Sequence, residues 1–459
     1  MTSNMFRAAS LALEDWLKSS DRLPLILRGA RQVGKTWLVR HLAEVTQKQL
    51  IELNFEKDIS LSNYFDTNDP DKILKRLQAA LNVSIDPQNT ILFLDEIQAS
   101  PELIAKLRWF AEELKSLPVI AAGSLLEFSL GEFSFSMPVG RIQFQYIEPL
   151  SFEEFLIAKD RKLLLEYLQS FEWNSSIPQP LHQQLMNLFK EYIIVGGLPS
   201  AVQSWINEES PQQINKIHNN LLTTYRDDFN RYRGRIGLER FEEIINAVPK
   251  LLSRKFTYTE VNRDIQSLVI KQALTLIQKA RICHRVMCTD ANGLPLKAEI
   301  DEKRYKEIFL DVGLCSALLG LQLHHLDRVA EINLFKDGGI AEQVTGQLLR
   351  TINPPYIDPE LFYWHREKKQ SNAEVDYVIQ HGNTIIPIEV KAGATGTLRS
   401  LHILMSLRKL SQAVYINSNL PQVSQVSIQG FDGNSYSYKL YSLPFYLIGQ
   451  LQRLLDIKN

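Results

Sequence analysis

Eight residues near the start of this 459-residue chain, Gly29-Ala30-Arg31-Gln32-Val33-Gly34-Lys35-Thr36, match the spacing GxxxxGK[ST] at every required position. Glycines let such a loop wrap backbone N–H groups around phosphates, and a following helix adds the positive potential of its N-terminus. Lys35 is placed to reach β and γ phosphates, and the Thr36 hydroxyl to hold Mg²⁺. Residue frequencies alone would give the pattern in roughly one chain of this length in sixty, so context decides. Here the apolar stretch Leu23–Leu27 precedes the loop and a helical stretch follows it, as the phosphate role requires.

The second half of such a site is Ile91-Leu92-Phe93-Leu94-Asp95-Glu96. Four apolar residues predict a buried strand, and two carboxylates emerge at its C-terminal end, where α/β sheets place their ligands. Asp95 suits the magnesium shell, and Glu96 suits orienting or deprotonating an attacking water. The two stretches together predict binding and hydrolysis of ATP.

A third constellation lies far downstream, in Glu374-Val375-Asp376 and Ile388-Glu389-Val390-Lys391. With Gly382-Asn383 as a hairpin tip, Asp376 falls opposite Glu389 and Glu374 opposite Lys391, so the four polar groups share one face. Val375, Tyr377, Ile379, Ile386, Ile388 and Val390 make the other face apolar. Two carboxylates and a lysine at a strand end are what metal-dependent phosphodiester cleavage requires. A solvated hairpin end whose opposite charges pair is the alternative.

The elements that must position these groups follow from periodicity. Strands are expected at Leu23–Leu27, Leu50–Asn54, Ile91–Leu94 and Val119–Ala122, with helices at Lys35–Ala43 and Pro101–Lys115, the alternation of a parallel α/β fold. The pattern turns helical from Ser151 to about Arg235. A helix at Tyr258–Ala280, a strand at Arg281–Thr289, a tight turn at Asn292-Gly293 and a second extended stretch near Leu296 outline a winged helix-turn-helix. A helix at Gly339–Arg350 and strands at Leu361–His365, Glu374–Gln380 and Thr384–Val390 predict a mixed α/β module at the end.

Composition narrows the classes. A formal net charge of -1 lacks the positive excess many nucleic-acid binders carry, so contact with DNA or RNA needs a local patch. Arg231, Arg233 and Arg235, then Arg254-Lys255, then Lys303-Arg304 with Lys306, are the candidates, and protein contact through the same region is the alternative. Cys283, Cys288 and Cys315 form no CxxC pair, and Cys283, His284 and Cys288, on one expected strand, read as structural. Glu14 and Asp15 interrupt any apolar leader, and no run of eighteen apolar residues occurs, so a cytoplasmic, membrane-free protein is expected.

The stretch GARQVGKT with LDEIQ resembles a prokaryotic AAA-type ATPase family whose members carry a C-terminal domain of unknown function. Ala122-Gly123-Ser124, Gly140-Arg141, the block Pro149–Phe155, Tyr192–Pro199 and Ile308–Leu314 match as well, so the resemblance spans nearly the whole chain. It implies Ser124 as the sensor beside the γ-phosphate, Arg141 as an arginine finger in cis or in trans, and Gly196-Gly197-Leu198-Pro199 as the lid element that touches nucleotide. The C-terminal constellation resembles the PD-(D/E)XK nuclease superfamily, with Asp376, Glu389 and Lys391 in the metal and lysine roles and Glu342 as the additional helical acid.

The implied organisation is an AAA-type P-loop core over 1–150, a helical lid over 151–235, a winged helix over 236–322 and a nuclease-like module over 323–459. The functions left open are an ATP-driven switch or machine on nucleic acid, an ATP-gated nuclease, and an adaptor that uses nucleotide to order its domains.

Overall fold

The computed structural model describes residues 5–124, 126, 138–232, 236–321, 338–367, 372–392, 397–430 and 433–457. After α1 (Ala8–Lys18), the apolar β1 (Leu25–Arg28) runs into the glycine loop, and the chain turns back as α2 (Lys35–Val45). Next come β2 (Gln49–Asn54), α3 (Pro70–Leu81), β3 (Thr90–Asp95), α4 (Leu103–Glu113), β4 (Val119–Ala122) and β5 (Gln143–Tyr146). Asp69 starts α3 by accepting from the Lys72 N–H, with Pro70 at the first helical position, where its missing N–H costs nothing. The strands pair in the order β2-β3-β4-β1-β5, every pair parallel. Every residue of β3 is buried, because helices cover both faces of such a sheet.

β5 carries no apolar run, since Gln143 and Gln145 alternate with Phe144 and Tyr146. It is an edge strand with β1 as its one neighbour, and its sequence gives no warning of it. Its direction matters: Gln143 lies beside Leu25 and Tyr146 beside Arg28. Arg141 therefore stands at the start of β1, the opposite end of the sheet from the glycine loop.

Helices α5 (Phe152–Ala158), α6 (Lys162–Ser170), α7 (Gln179–Val195), α8 (Pro199–Glu208) and α9 (Pro211–Tyr232) follow, as expected for 151–235. Arg233 and Arg235 lie outside the described residues. Then come α10 (Leu238–Ala247), α11 (Tyr258–Val261) and α12 (Ser267–Lys279). The single helix expected over Tyr258–Ala280 is thus two helices. Asn262 ends the first, its side-chain oxygen accepting from Asp264 N–H at 2.9 Å and its amide donating to Glu243 at 2.8 Å.

The hairpin also differs from expectation. β6 (Cys283–Thr289) pairs with β7 (Ile300–Phe309), and Leu296 lies in a 3₁₀ turn rather than a strand. Asn292-Gly293 is not a two-residue tip. Thr289 Oγ1 donates to Leu296 O and Asn292 N donates to the Glu299 carboxylate, which folds a longer loop back on itself.

The chain ends with α13 (Val312–Leu318), α14 (Gly338–Leu349), β8 (Leu361–Arg366), β9 (Ala373–His381), β10 (Thr384–Val390), α15 (Arg399–Arg408), β11 (Gln412–Asn417), β12 (Gln422–Gln429), β13 (Ser435–Pro444) and α16 (Leu451–Asp456). These strands and the hairpin form one eight-stranded sheet, β12-β13-β11-β10-β9-β8-β6-β7. β6 lies parallel to β8, with Val286 beside Leu361. The boundary expected at 322 therefore falls within a single sheet. Among the described residues no helix is long and apolar enough to cross a membrane.

Candidate functional site

The glycine loop is shaped by what surrounds it. Gly29 has φ +156, and a Cβ there would lie 2.4 Å from Ile147 O. Gly34 has φ +97 at the N-terminus of α2. Both positions require glycine. Lys35, buried, donates from Nζ to Gly29 O at 2.9 Å and Ala30 O at 2.8 Å. Its ammonium is thereby held inside the loop that would cradle phosphates.

Arg7 braces the loop from outside. It donates to Val33 O at 2.7 Å and Glu148 O at 2.7 Å, and pairs with Glu154 at 3.2 Å. Glu154 belongs to a capping box with Ser151 at the start of α5, which fixes its position. The block Pro149–Phe155 is thus a support for the loop. From the lid, Tyr225 donates to Arg31 O at 3.1 Å and Asp228 pairs with the Arg31 guanidinium, while Glu56, just past β2, adds a contact at 3.7 Å.

Asp95 ends β3 beside Asn54 of β2 and Ala122 of β4. Thr36 Oγ1 lies 3.3 and 3.4 Å from its two oxygens, and Asn54 Nδ2 lies 3.3 Å from Oδ2. Burial, then the charges of Glu96 and Glu52, push the Asp95 carboxyl up to about 6. A hydroxyl and a carboxylate together form the hard-oxygen donor set that suits Mg²⁺. Glu96 adopts the left-handed region, φ +51, costly for this residue type and typical of positions held for function. Gln98 Nε2 donates to Glu96 Oε2 at 2.5 Å, steering the carboxylate. Ser124, just past β4, is buried, and its Oγ has no hydrogen-bond partner among the described residues.

The fold therefore brings Lys35, Thr36, Asp95, Glu96 and Ser124 to one edge of the sheet. Pro199 joins them: a Cβ on Gly34 would lie 3.5 Å from its Cγ. Arg141 does not. It is exposed and donates to Glu112 at 2.9 Å, so a role in cis is excluded by its place at the far end of the sheet. Sequence reasoning passed over Arg7, Asn54 and Gln98. Asn54 closes an expected strand, which was the one available signal; Arg7 and Gln98 act through contacts no motif encodes.

Behind Pro199 the lid loop is locked to the rest of the chain. Asp311, buried, accepts from Gly197 N at 2.7 Å, from Gly313 N and Leu314 N at the start of α13, and from Gln347 Nε2 at 3.2 Å. Leu150 N donates to Gly197 O at 2.6 Å. Gly196 has φ +77 and its Cβ position is 2.1 Å from Asp311 Oδ1, so Gly196→Ala should cost about 2–4 kcal/mol, read by denaturant melts. Wild-type stability in that variant would show the loop free to move away.

The C-terminal acids are arranged otherwise than expected. The β9–β10 register does run Thr384 to His381 and Ile388 to Tyr377, and Val390 N donates to Asp376 Oδ2 at 2.8 Å. Lys391 pairs with Glu389 at 2.5 Å rather than facing Glu374. Glu374 instead pairs with Lys306 at 2.6 Å, and Glu342 reaches the same ammonium at 3.1 Å. Lys306, expected as a phosphate contact, is 3% exposed and unavailable to DNA. Arg304 is likewise engaged, by Asp301 and Glu367, each at 3.2 Å. Cys283, Cys288 and Cys315 are buried and form no disulfide among the described residues. Among the described residues no group of three or more His, Cys, Asp or Glu side chains has metal-holding geometry.

Residues 21–156 match the model of an AAA domain, and residues 186–325 and 337–429 match models described as domains of unknown function, DUF8612 and DUF4143. Together with the parallel sheet and the loop geometry, the first match makes the N-terminal part an AAA-type P-loop ATPase module. No curated protein matches the chain. Similar solved structures include a Walker-type ATPase of Pyrococcus abyssi, with 15% identity, TM-score 0.42, and 69% of this chain and 96% of that one covered. The Aeropyrum pernix ORC2 protein in ADPNP and ADP complexes has 10% identity, TM-score 0.37, and coverage of 72% and 96%. The Thermotoga maritima RuvB Holliday junction branch migration motor has 16% identity, TM-score 0.28, and coverage of 62% and 90%. These scores are low, and the class rests on the family match and the site.

Proposed function

We propose that the chain is a Mg²⁺-dependent ATPase working as a nucleotide-driven switch on nucleic acid. In this reading backbone N–H groups of Gly29–Thr36 cradle the phosphates, and Lys35 leaves its two carbonyl partners for the β and γ oxygens. Thr36 and Asp95 hold Mg²⁺, which neutralises phosphate charge when bound. Glu96, steered by Gln98, orients and deprotonates the attacking water, and Ser124 senses the γ-phosphate. Arg141 remains available to a neighbouring copy as a finger.

The observation that carries the switch is the contact chain from Gly34 through Pro199 and Gly197 to Asp311. A γ-phosphate that shifts Pro199 must disturb either Gly197 or its bond to Asp311, and Asp311 joins β7 to α13. Support for the load comes from the middle region. Helices α10 to α12 followed by the β6–β7 hairpin have the element order of a winged helix. Phe256 N donates to Tyr305 O at 2.9 Å, and Lys255, beside the donor in sequence, and Lys303 of β7 are exposed. Cleavage by the C-terminal acids is outside the proposal, because an ammonium already sits among them.

Lys35→Ala is expected to abolish ATP turnover, and salt-sensitive binding to a panel of single- and double-stranded DNA and RNA is expected to change between ATP and ADP. Turnover unchanged in that variant would end the ATPase reading. ATP binding without turnover, and no affinity for any nucleic acid, would leave the adaptor reading in its place.

A further inference from the structure

We infer that the Lys306 ammonium is a built-in cation occupying the place a divalent metal would take among Glu342, Glu374 and Asp376, so the C-terminal module of this chain takes no metal. This does not depend on the ATPase reading. Lys306 comes from β7, outside the segment that carries the acids, and so escapes any motif drawn on that segment. Its Nζ lies 2.6 Å from Glu374, 3.1 Å from Glu342 and 3.9 Å from Asp376. The ring of Tyr363 closes a further side, with its centroid 5.1 Å from Nζ. Tyr377 donates to Glu342 O at 2.7 Å and holds the helix that bears this acid against the sheet.

Glu389 and Asp376 have further partners of their own, and Glu389 Oε2 alone is left buried with no hydrogen-bond partner among the described residues. Glu389 takes Lys391 at 2.5 Å, and Asp376 Oδ2 takes the Val390 N–H at 2.8 Å. A metal that kept even part of its water shell would have to displace the ammonium, since both need the same oxygens. Lys306 is almost wholly buried, and its side chain is 4% exposed. Moving it out would leave a cluster of carboxylates buried without a counter-charge, which is strongly unfavourable. The module is thereby suited to holding its hairpin in register or to binding, and not to metal-assisted hydrolysis.

Removing the ammonium should let the three carboxylates, which as they stand form no metal-holding group, close on a cation. In full-length, nucleotide-free protein, Lys306→Met is expected to bind Mn²⁺ at least tenfold tighter than wild type by electron paramagnetic resonance titration. The gain should vanish in the double variant Lys306→Met/Asp376→Asn. If the single variant is too unstable to titrate, its melting temperature should rise with Mn²⁺ while that of wild type and the double variant does not. Wild-type protein that binds Mn²⁺ and loses it on Asp376→Asn overturns the inference. So does a folded Lys306→Met protein with no gain in Mn²⁺ affinity, or an unstable one that Mn²⁺ fails to stabilise.

Discussion

Glutamine in place of Glu96 keeps Mg-ATP bound and slows its hydrolysis by at least about a hundredfold, the span a positioned general base contributes. The expectation rests on two features of the site. Glu96 is held in the left-handed region at the end of β3, and Gln98 donates to one of its oxygens at 2.5 Å, leaving the other for water. The amide retains the size of the carboxylate and can still accept from Gln98, but it cannot take a proton. Single-turnover hydrolysis measured beside equilibrium nucleotide binding separates the two effects. A rate like that of wild type would remove Glu96 from the chemistry and leave Asp95 without a catalytic partner.

The largest expected effect on stability lies away from the nucleotide. Glu148, just past β5, and Arg350, after α14, form a buried bidentate pair at 2.7 and 3.0 Å. Arg350→Met strands the carboxylate and should cost about 3–5 kcal/mol in a denaturant melt. The pH dependence follows the same pair. Burial by itself would raise the Glu148 carboxyl, yet the Arg350 guanidinium overrides it and holds it at about 2. A carboxyl depressed in the folded state contributes stability above its ordinary value near 4.5, lost as pH falls toward 2. Wild-type stability should therefore fall by about 3 kcal/mol across that window, and Arg350→Met should lose most of this slope. Parallel acid titrations of both proteins, followed by circular dichroism, would decide it. Equal slopes would mean the pair is not what resists acid.

The nucleotide half of the molecule was legible because its signals are local. Val119–Ala122 is a strand with the bounds its apolar run predicts, as is Thr384–Val390 in the other sheet, and the glycine loop sits between strand and helix as its spacing demands. The β9–β10 register was legible too, since a short tip fixes which residues face each other. What could not be read was contact between distant segments. Asp376 opposite Glu389 suggested an open metal site, and only the fold brings Lys306 into it. Gln143–Tyr146 pairs through backbone groups that its mixed composition does not advertise. Arg141 was open to a finger role in cis or in trans, and the direction of β5 sets it at the far end of the sheet from the glycine loop. The block Ile308–Leu314 entered only as part of the family resemblance, and Asp311 within it proves both to cap α13 and to hold the lid loop.

Because β6 lies between β7 and β8, the middle segment and the tail cannot be separated as independent pieces. A cut between them would strip β8 of the neighbour it has along Leu361–Tyr363 and leave its amides and carbonyls open on a buried apolar layer. Such a raw margin invites strand-to-strand association between molecules. A fragment ending after the hairpin would meet the same fate from the other side, so the stretch from β6 to β13 needs to be expressed whole.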